Sequence, residues 1–451
     1  MMRSLFSGVA GLRTHQTKMD VIGNNIANVN TVSYKSQSVT FSDLMYQTTQ
    51  SASGANAETG RAGINAKQIG LGVKNGAIST AITTSGSSQN TGNPFDIQLN
   101  SDAFFIVSDG SQNFFTRAGT FNIDGNGNLC MTTNGYMVQG WLADDEGRII
   151  KNTVQSLNVM GADKMISPAE ATSEAYMQGI IDKNDEALET KEGLITTLQF
   201  FDQRGYSYTI KYSVKKDTSG GDGDFVMKPV DILDSTGKKL TDVYPGSTLT
   251  DFLASDAEMK VKFDPSTGKF LDVDGTTEFT VEFSDSKIEA FPPNGIKVDM
   301  TNVKNIDNKG TSTISGRSGN VENSALNAGH AAGEMSSLSV QTDGKILATY
   351  TNGVTKVLGQ IAVATFANPA GLEKQGENLY QATANSGTFD GIGVDVTADG
   401  GSMQSGVLEM SNVDLSNEFT EMITTQRGFQ ANSRIITVSD TLLEELVNLK
   451  R

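Results

Sequence analysis

Between positions 4 and 29 apolar residues fall at Leu5, Val9, Leu12, Met19, Ile22, Ile26 and Val29, spaced by three, four or seven with no proline in the span. That spacing lines one face of a helix and predicts a helix over 4–29. The far end behaves alike: Leu415, Phe419, Met422, Phe429, Ile436, Leu443 and Val447 follow a largely heptad step, and Gln426, Ser433 and Asp440 fall at the alternate seam positions. Ser411 stands three residues before Asp414 at capping distance, and no proline follows. A helix of up to about 38 residues, roughly 57 Å long at 1.5 Å per residue, is predicted there. Both chain ends read as long amphipathic helices.

Between them the period changes from helix to strand. Phe104-Phe105-Ile106-Val107, Phe114-Phe115-Thr116 and Phe121-Asn122-Ile123 are short aromatic or β-branched runs divided by Asp109-Gly110 and closed by Asp124-Gly125-Asn126-Gly127, a hairpin grammar. The same grammar returns around Leu338–Val340 and Lys345–Tyr350, so 72–146 and 331–405 read as two halves of one β domain. The intervening block 147–330 is also strand-like and reads as an inserted β domain. Residues 48–63 hold no large apolar side chain and read as a linker or a segment ordered only by contact. The expected fold class is mainly β with terminal α-helices.

Composition supports several cores rather than one. The 451 residues are 37% hydrophobic with 47 glycines and 10 tyrosines; counted as globular averages are, with glycine in and tyrosine out, the apolar share is about 45%. The net charge of −17 is uneven. Residues 1–72 carry six basic and three acidic residues, whereas 147–330 carry 20 and 28. An acidic chain without a Lys/Arg-dense segment is not expected to bind nucleic acid. No run of 18 apolar residues occurs, so no membrane insertion is expected, and the N-terminal apolar stretch, broken by Arg13, His15 and Gln16, is not a signal peptide pattern.

Catalytic chemistry finds no constellation. His15 and His330 are the only histidines and Cys130 the only cysteine, too few for a zinc site of ordinary spacing and none for an internal disulfide. Each Gly-Lys pair lacks the glycine five residues earlier that a phosphate loop needs. Asp124-Gly125-Asn126 has the opening of a calcium loop, but Leu129 and Gly135 occupy the places of its glycine and bidentate glutamate, so a hairpin turn is the reading. Asp144-Asp145-Glu146 reads as a solvated loop. No enzyme activity, cofactor or metal is expected.

Two features bear on the helices' purpose. Gly23-Asn24-Asn25-Ile26-Ala27-Asn28-Val29-Asn30 is rich in a poor helix former at a helix end, where side-chain amides close the helix, bond a neighbouring backbone, or leave a frayed terminus. Gly428 sits mid-helix, at a cost of about 1 kcal/mol against alanine that a close backbone approach would justify.

These same residues carry a resemblance. Asp20-Val21-Ile22-Gly23-Asn24-Asn25-Ile26-Ala27-Asn28-Val29-Asn30-Thr31, Phe115-Thr116-Arg117-Ala118-Gly119, Phe366-Ala367-Asn368-Pro369-Ala370-Gly371-Leu372, Ser411-Asn412-Val413-Asp414-Leu415 and the run from Gln426 to Asn432 occur in order, and the chain resembles the rod and hook axial proteins of the bacterial flagellum. The resemblance covers about 1–146 and 331–451; the block 147–330 carries none of the motifs. One departure is Val32-Ser33-Tyr34-Lys35, where the family carries glycine before the aromatic.

The resemblance implies a homopolymer, a helical tube whose subunits leave the cell through the type III export apparatus without a cleaved signal and assemble under a cap. Residues 1–30 and 413–451 are expected to pair as a coiled coil, 31–71 and 406–412 to form a linker region, 72–146 with 331–405 an inner β domain, and 147–330 an outer one. The expected assembly interface comprises Leu5, Val9, Leu12, Met19, Ile22, Asn24, Asn25, Ile26, Asn28, Val29, Leu415, Phe419, Met422, Gln426, Phe429, Ile436, Leu443 and Val447. The size of the middle block favours the flexible hook, with the rod at its proximal end and the hook–filament junction proteins at its distal end, over the alternative of a distal rod subunit.

Overall fold

The computed structural model describes residues 2–54, 60, 62–144, 147–218, 220–221, 223–284 and 288–449. Two long helices, Met2–Ala27 and Leu415–Asn448, bracket a chain otherwise built of short strands. The N-terminal helix begins and ends two residues before the expected bounds. The C-terminal helix spans 34 residues, about 51 Å. Its cap is Asp414 itself: the side chain accepts from the backbone N–H groups of Ser416 and Asn417. Ser411, expected to begin the capping box, instead accepts from the Val413 N–H outside the helix. An aspartate at the cap also places negative charge at the positive end of the helix.

The chain divides into two compact units, one of 1–162, 338–348 and 356–451, the other of 163–337 and 349–355. In the first, the two separated β segments build one sheet. Along it run, in order, Thr355–Ile361, Met137–Leu142, Phe104–Ser108, Asn113–Thr116, Leu379–Gln381 and Glu373–Gly376, so three strands of the first segment are flanked on both sides by strands of the second. Phe104, Ile106, Phe115, Trp141, Ala362 and Tyr380 are buried there. The Trp141 indole N–H donates to the carbonyls of Asn152 and Ile392, at 3.0 and 3.1 Å, which satisfies its one donor inside the apolar core. Asp124 accepts from the N–H groups of Asn126 and Asn128 in the hairpin turn read from the sequence. Cys130 lies in the strand Leu129–Met131, where burial and then the Asp124 charge push its thiol pKa up.

The second unit holds a mixed four-stranded sheet, ordered Glu278–Val281, Ile296–Lys304, Glu174–Ile180 and Ser315–Ser318, and an antiparallel five-stranded sheet from Leu194–Phe201 to Phe270–Val273. Met177, Val298 and Met300 of the former share one core with Leu198, Ile210, Phe225 and Val261 of the latter.

Residues after the first helix do not run as featureless linker. Gln37–Asp43 pairs with Val73–Thr80, and Tyr46–Gln50 with Lys67–Gly70, both antiparallel. Phe41, Met45, Tyr46, Ile69 and Ile78 are exposed along this arm. Of the polar stretch 48–63, residues 55–59 and 61 lie outside the described residues, as do Asp145 and Glu146 of the acidic loop.

Candidate assembly interface

The two terminal helices pack side by side and antiparallel. Gly8 of the first lies against Ile436 of the second, Gly11 against Asn432, and His15 against Gly428. Farther along, Lys18 pairs with Glu421 at 3.0 Å, and the Asn25 amide donates to Glu418 at 2.9 Å. The deepest positions of the first helix are Gly8, Gly11, Thr14, Ile22 and Asn25. Small residues in its first half let the helices approach closely; a Cβ on Gly11 would stand 2.7 Å from the Asn432 side chain.

The expected interface residues are distributed as follows. Ile22 and Asn25 are buried; Leu5, Val9, Leu12, Met19, Ile26, Asn28, Val29, Met422, Phe429, Ile436 and Leu443 are half-buried; Asn24, Leu415, Phe419, Gln426 and Val447 are exposed. Within one chain the seam runs through Met422, Phe429, Ile436 and Leu443, and the positions between them are Thr425, Asn432 and Ser439. Those lie one residue before the expected Gln426, Ser433 and Asp440. Thr425 and Ser439 are buried because their small side chains fit beneath the facing helix.

Pairing leaves two apolar groups of the C-terminal helix uncovered. Phe419 and Ile423 near its start, and Ile435, Val438, Leu442 and Leu446 at helical spacing near its end, are each 44–58% exposed, with the exposed polar Gln426, Arg427, Gln430 and Arg434 between the two groups.

Below the helix pair, Asn25 organises the exit of the chain. Its amide donates to the Gln37 carbonyl at 2.8 Å, and its carbonyl oxygen accepts from the Gln37 N–H at 3.0 Å and the Tyr34 hydroxyl at 3.2 Å. The asparagine-rich helix end is therefore a bonded corner rather than a frayed terminus. Asn412, entering the other helix, mirrors it: it accepts from the Ser36 N–H and donates to the carbonyls of Ala81 and Thr84.

A buried charge cluster lies beside this corner. Glu409 receives the Lys35 ammonium at 2.7 Å and the Arg117 guanidinium at 3.4 Å, and all three residues are at most 1% exposed. Glu409 also accepts from the Gly86 N–H, Lys35 donates to the Thr84 carbonyl, and Arg117 donates to the Ser101 carbonyl. Burial pulls the Lys35 pKa below the usual lysine range, against the opposing pull of the Glu409 hydrogen bond. Lys35 follows the first helix, Arg117 sits in the β core, and Glu409 precedes the second helix; the cluster fastens both helix roots to the β core. Sequence reasoning named Arg117 only within a motif and passed over Glu409. A charge inside Val407-Leu408-Glu409-Met410 was the available signal.

Ser33 explains the departure from the family pattern. Its φ is +54°, the left-handed region where glycine is cheaper, and the backbone is held there by a 2.8 Å bond from its N–H to the Glu409 carbonyl and by its hydroxyl donating to the Arg117 carbonyl.

Among the described residues no cluster of three or more His, Cys, Asp or Glu is placed to hold a metal ion, and no helix is long and apolar enough to cross a membrane. Comparisons with known proteins point to one family. Residues 5–35 match the family described as flagella basal body rod protein, 98–167 the flagellar hook protein FlgE/F/G D1 domain, and 404–449 the flagellar basal body rod FlgEFG protein C-terminal family. Over 100% of both chains the sequence is 35% identical to the flagellar hook proteins FlgE of Treponema pallidum and of Borreliella burgdorferi. It is 30% identical, again over 100% of both, to the flagellar basal-body rod protein FlgG of Bacillus subtilis. A solved structure of Helicobacter pylori flagellar hook protein FlgE2 aligns with a TM-score of 0.49 at 12% identity, covering 71% of this chain and 100% of that one. The chain belongs to the hook and rod family of flagellar axial proteins. The middle block, expected to carry none of the family's motifs, enters the D1 match over 147–167 and lies wholly within the full-length alignments.

Proposed function

We propose that the protein is the subunit of the flagellar hook, polymerising into a curved, flexible tube that passes motor torque to the filament as a universal joint. The observation that carries assembly is the uncovered apolar stripe Ile435, Val438, Leu442 and Leu446 on a helix already paired along another face. Four adjoining apolar side chains left in water on an exported subunit call for neighbouring copies. The expected interface residues are assigned accordingly: Met422, Phe429, Ile436 and Leu443 hold the pair within a subunit, and Leu415, Phe419 and Val447 meet the next. The exposed apolar residues of the 37–80 arm suit a bridge between subunits, since a two-stranded ribbon is marginally stable alone.

Residues 1–30 and 413–451 then line the tube, 31–71 and 406–412 link, 72–146 with 331–405 form the inner shell, and 147–330 the outer. The partners are the rod proximally, the junction proteins distally, the cap, and the type III apparatus that exports the chain. The names of the two 35% identical relatives favour hook; the name of the Bacillus relative keeps the distal rod as the second reading.

Electron microscopy of the polymerised protein separates them. Curved, bendable tubes are expected, and straight rigid ones would move the assignment to the rod. Leu442→Asp is expected to leave the β core folded and abolish tubes; normal tubes from that variant would remove the outer stripe from the assembly.

A further inference from the structure

The second unit presents a cationic face on a strongly acidic chain. On the five-stranded sheet Ile210, Tyr212 and Val214 point into the core, so the alternate Lys211, Ser213 and Lys215 lie on the other face, where Ser213 is itself covered and donates to the Glu192 carbonyl. Register places Ser213 opposite Lys228 and Lys215 opposite Val226 on the next strand. These residues line a cleft of about 600 Å³ together with Ile195 and Val230, which are 43% and 46% exposed; Glu192 and Glu258 also line it, and with Lys191, Lys239 and Asp231 counted its lysines outnumber its carboxylates five to three. Lys239 at its edge is neutralised by Asp231 at 2.6 Å. Lys215 donates to the Lys191 carbonyl. Lys211 and Lys228 have no carboxylate partner among the described residues.

The complementary feature belongs to the same unit. Glu278 stands directly opposite Asp299 in an antiparallel pair, a like-charge arrangement that destabilises a sheet unless a cation is near. A groove of about 230 Å³ runs there between Glu174, Glu278 and Asp299, with Lys297 as its one base. Lys297 is opposite Glu174 in the neighbouring register, and the Glu174 carboxylate also accepts from the Asn320 amide at 2.8 Å. Glu278 and Asp299 have no cationic partner among the described residues.

We propose that the lysine face of one copy docks on the Glu278–Asp299 groove of the next, making a polar, salt-sensitive contact between second units. Two different patches on one chain give a heterologous contact, the kind that builds an open helical array when its rotation does not close into a ring. The inference rests on the reading of the protein as a homopolymer. Ammonium–carboxylate pairs around a small apolar floor exchange partners at low cost, since each exposed pair contributes little and is screened by salt.

The test is carbodiimide coupling, which joins amines to carboxylates in contact, applied to tubes grown from an equal mixture of 14N and 15N protein. Mass spectrometry is expected to find mixed-isotope peptides joining Lys211 or Lys228 to Glu278 or Asp299. Tubes that form without such links would overturn the docking and leave the polymer reading intact, whereas protein that never polymerises would remove both. Charge reversal supplies the second arm. Tubes bearing Lys211→Glu and Lys228→Glu should dissociate at lower salt than the parent, and mixing that variant with one carrying Glu278→Lys and Asp299→Lys should restore the salt tolerance. Unchanged salt tolerance in the lysine variant, or no restoration on mixing, would overturn the proposal.

Discussion

The imidazole of His15 occupies the space that a side chain at residue 428 would fill: a Cβ built on Gly428 would stand 2.6 Å from the His15 Cε1 atom. The ring is held on its other side by Phe41 of the arm, edge to face at 5.5 Å. The mid-helix glycine is thus a socket for a side chain, where the sequence suggested a close backbone approach. One contact links both terminal helices and the strand that follows the first.

Coupling between these two residues is measurable. Gly428→Ala gains about 1 kcal/mol of helix propensity but overpacks against a wedged ring, at a cost of about 1–3 kcal/mol. The single variant is expected to be destabilised, and the same change in a His15→Ala background to be stabilising. Urea unfolding followed by far-ultraviolet circular dichroism reads the cycle; additive effects would remove the socket.

The helix pair should loosen on mild acidification. Burial, and then the neighbouring Lys18 charge, lower the His15 pKa below 6.5. Its Nδ1 is buried without a hydrogen-bond partner. The unfolded chain therefore takes up a proton near pH 6.5 while the folded chain does so only at lower pH, so stability falls as pH drops from 6.5 to the folded-state value. Helix unfolding between pH 7.5 and 5.5 checks this, and His15→Gln should flatten the profile.

Removing Glu409 should be severe. Glu409→Gln leaves the buried Lys35 and Arg117 without a countercharge, and breaking such a pair costs about 3–5 kcal/mol. The denaturation midpoint should fall accordingly. Susceptibility of the segments next to Lys35 and Glu409 to limited proteolysis should rise before that of the β core.

At Ser33 the left-handed φ and the hydroxyl bond pull in opposite directions. Ser33→Gly relieves the backbone but loses one buried hydrogen bond of about 1 kcal/mol, so thermal unfolding should show a change under about 1 kcal/mol. Ser33→Val loses the bond and adds β-branching at positive φ, and is expected to cost about 2 kcal/mol or more.

Much of the architecture was legible because it is written in local periodicity. The three- and four-residue steps from Leu5 to Val29 and the heptads from Met422 to Leu443 marked both helices, and the Asp124–Gly127 turn marked its hairpin. Less legible was the helix start, since Asp414 and Ser411 are both capable caps and only backbone geometry selects one. The strands 37–50 and 67–80 were missed because their side chains are mostly exposed, so no alternation between core and solvent was imposed on the sequence.

By itself the sequence determined two amphipathic ends, a β-rich middle with a charged insertion, the lack of a catalytic constellation, and a place among flagellar axial proteins. Only the tertiary structure decided which face of each helix forms the pair and which stays exposed. Apolar spacing ranks faces by hydrophobicity, but close helix packing is set by volume, and here it turned to Gly8, Gly11, Gly428 and small polar residues. The Lys35–Glu409 pair and the bond from Asn25 to Glu418 join residues 374 and 393 positions apart. No local pattern encodes such partners; they exist because folding brings both helix roots to one corner of the β core, where a buried charge must find its counterion or destabilise the fold.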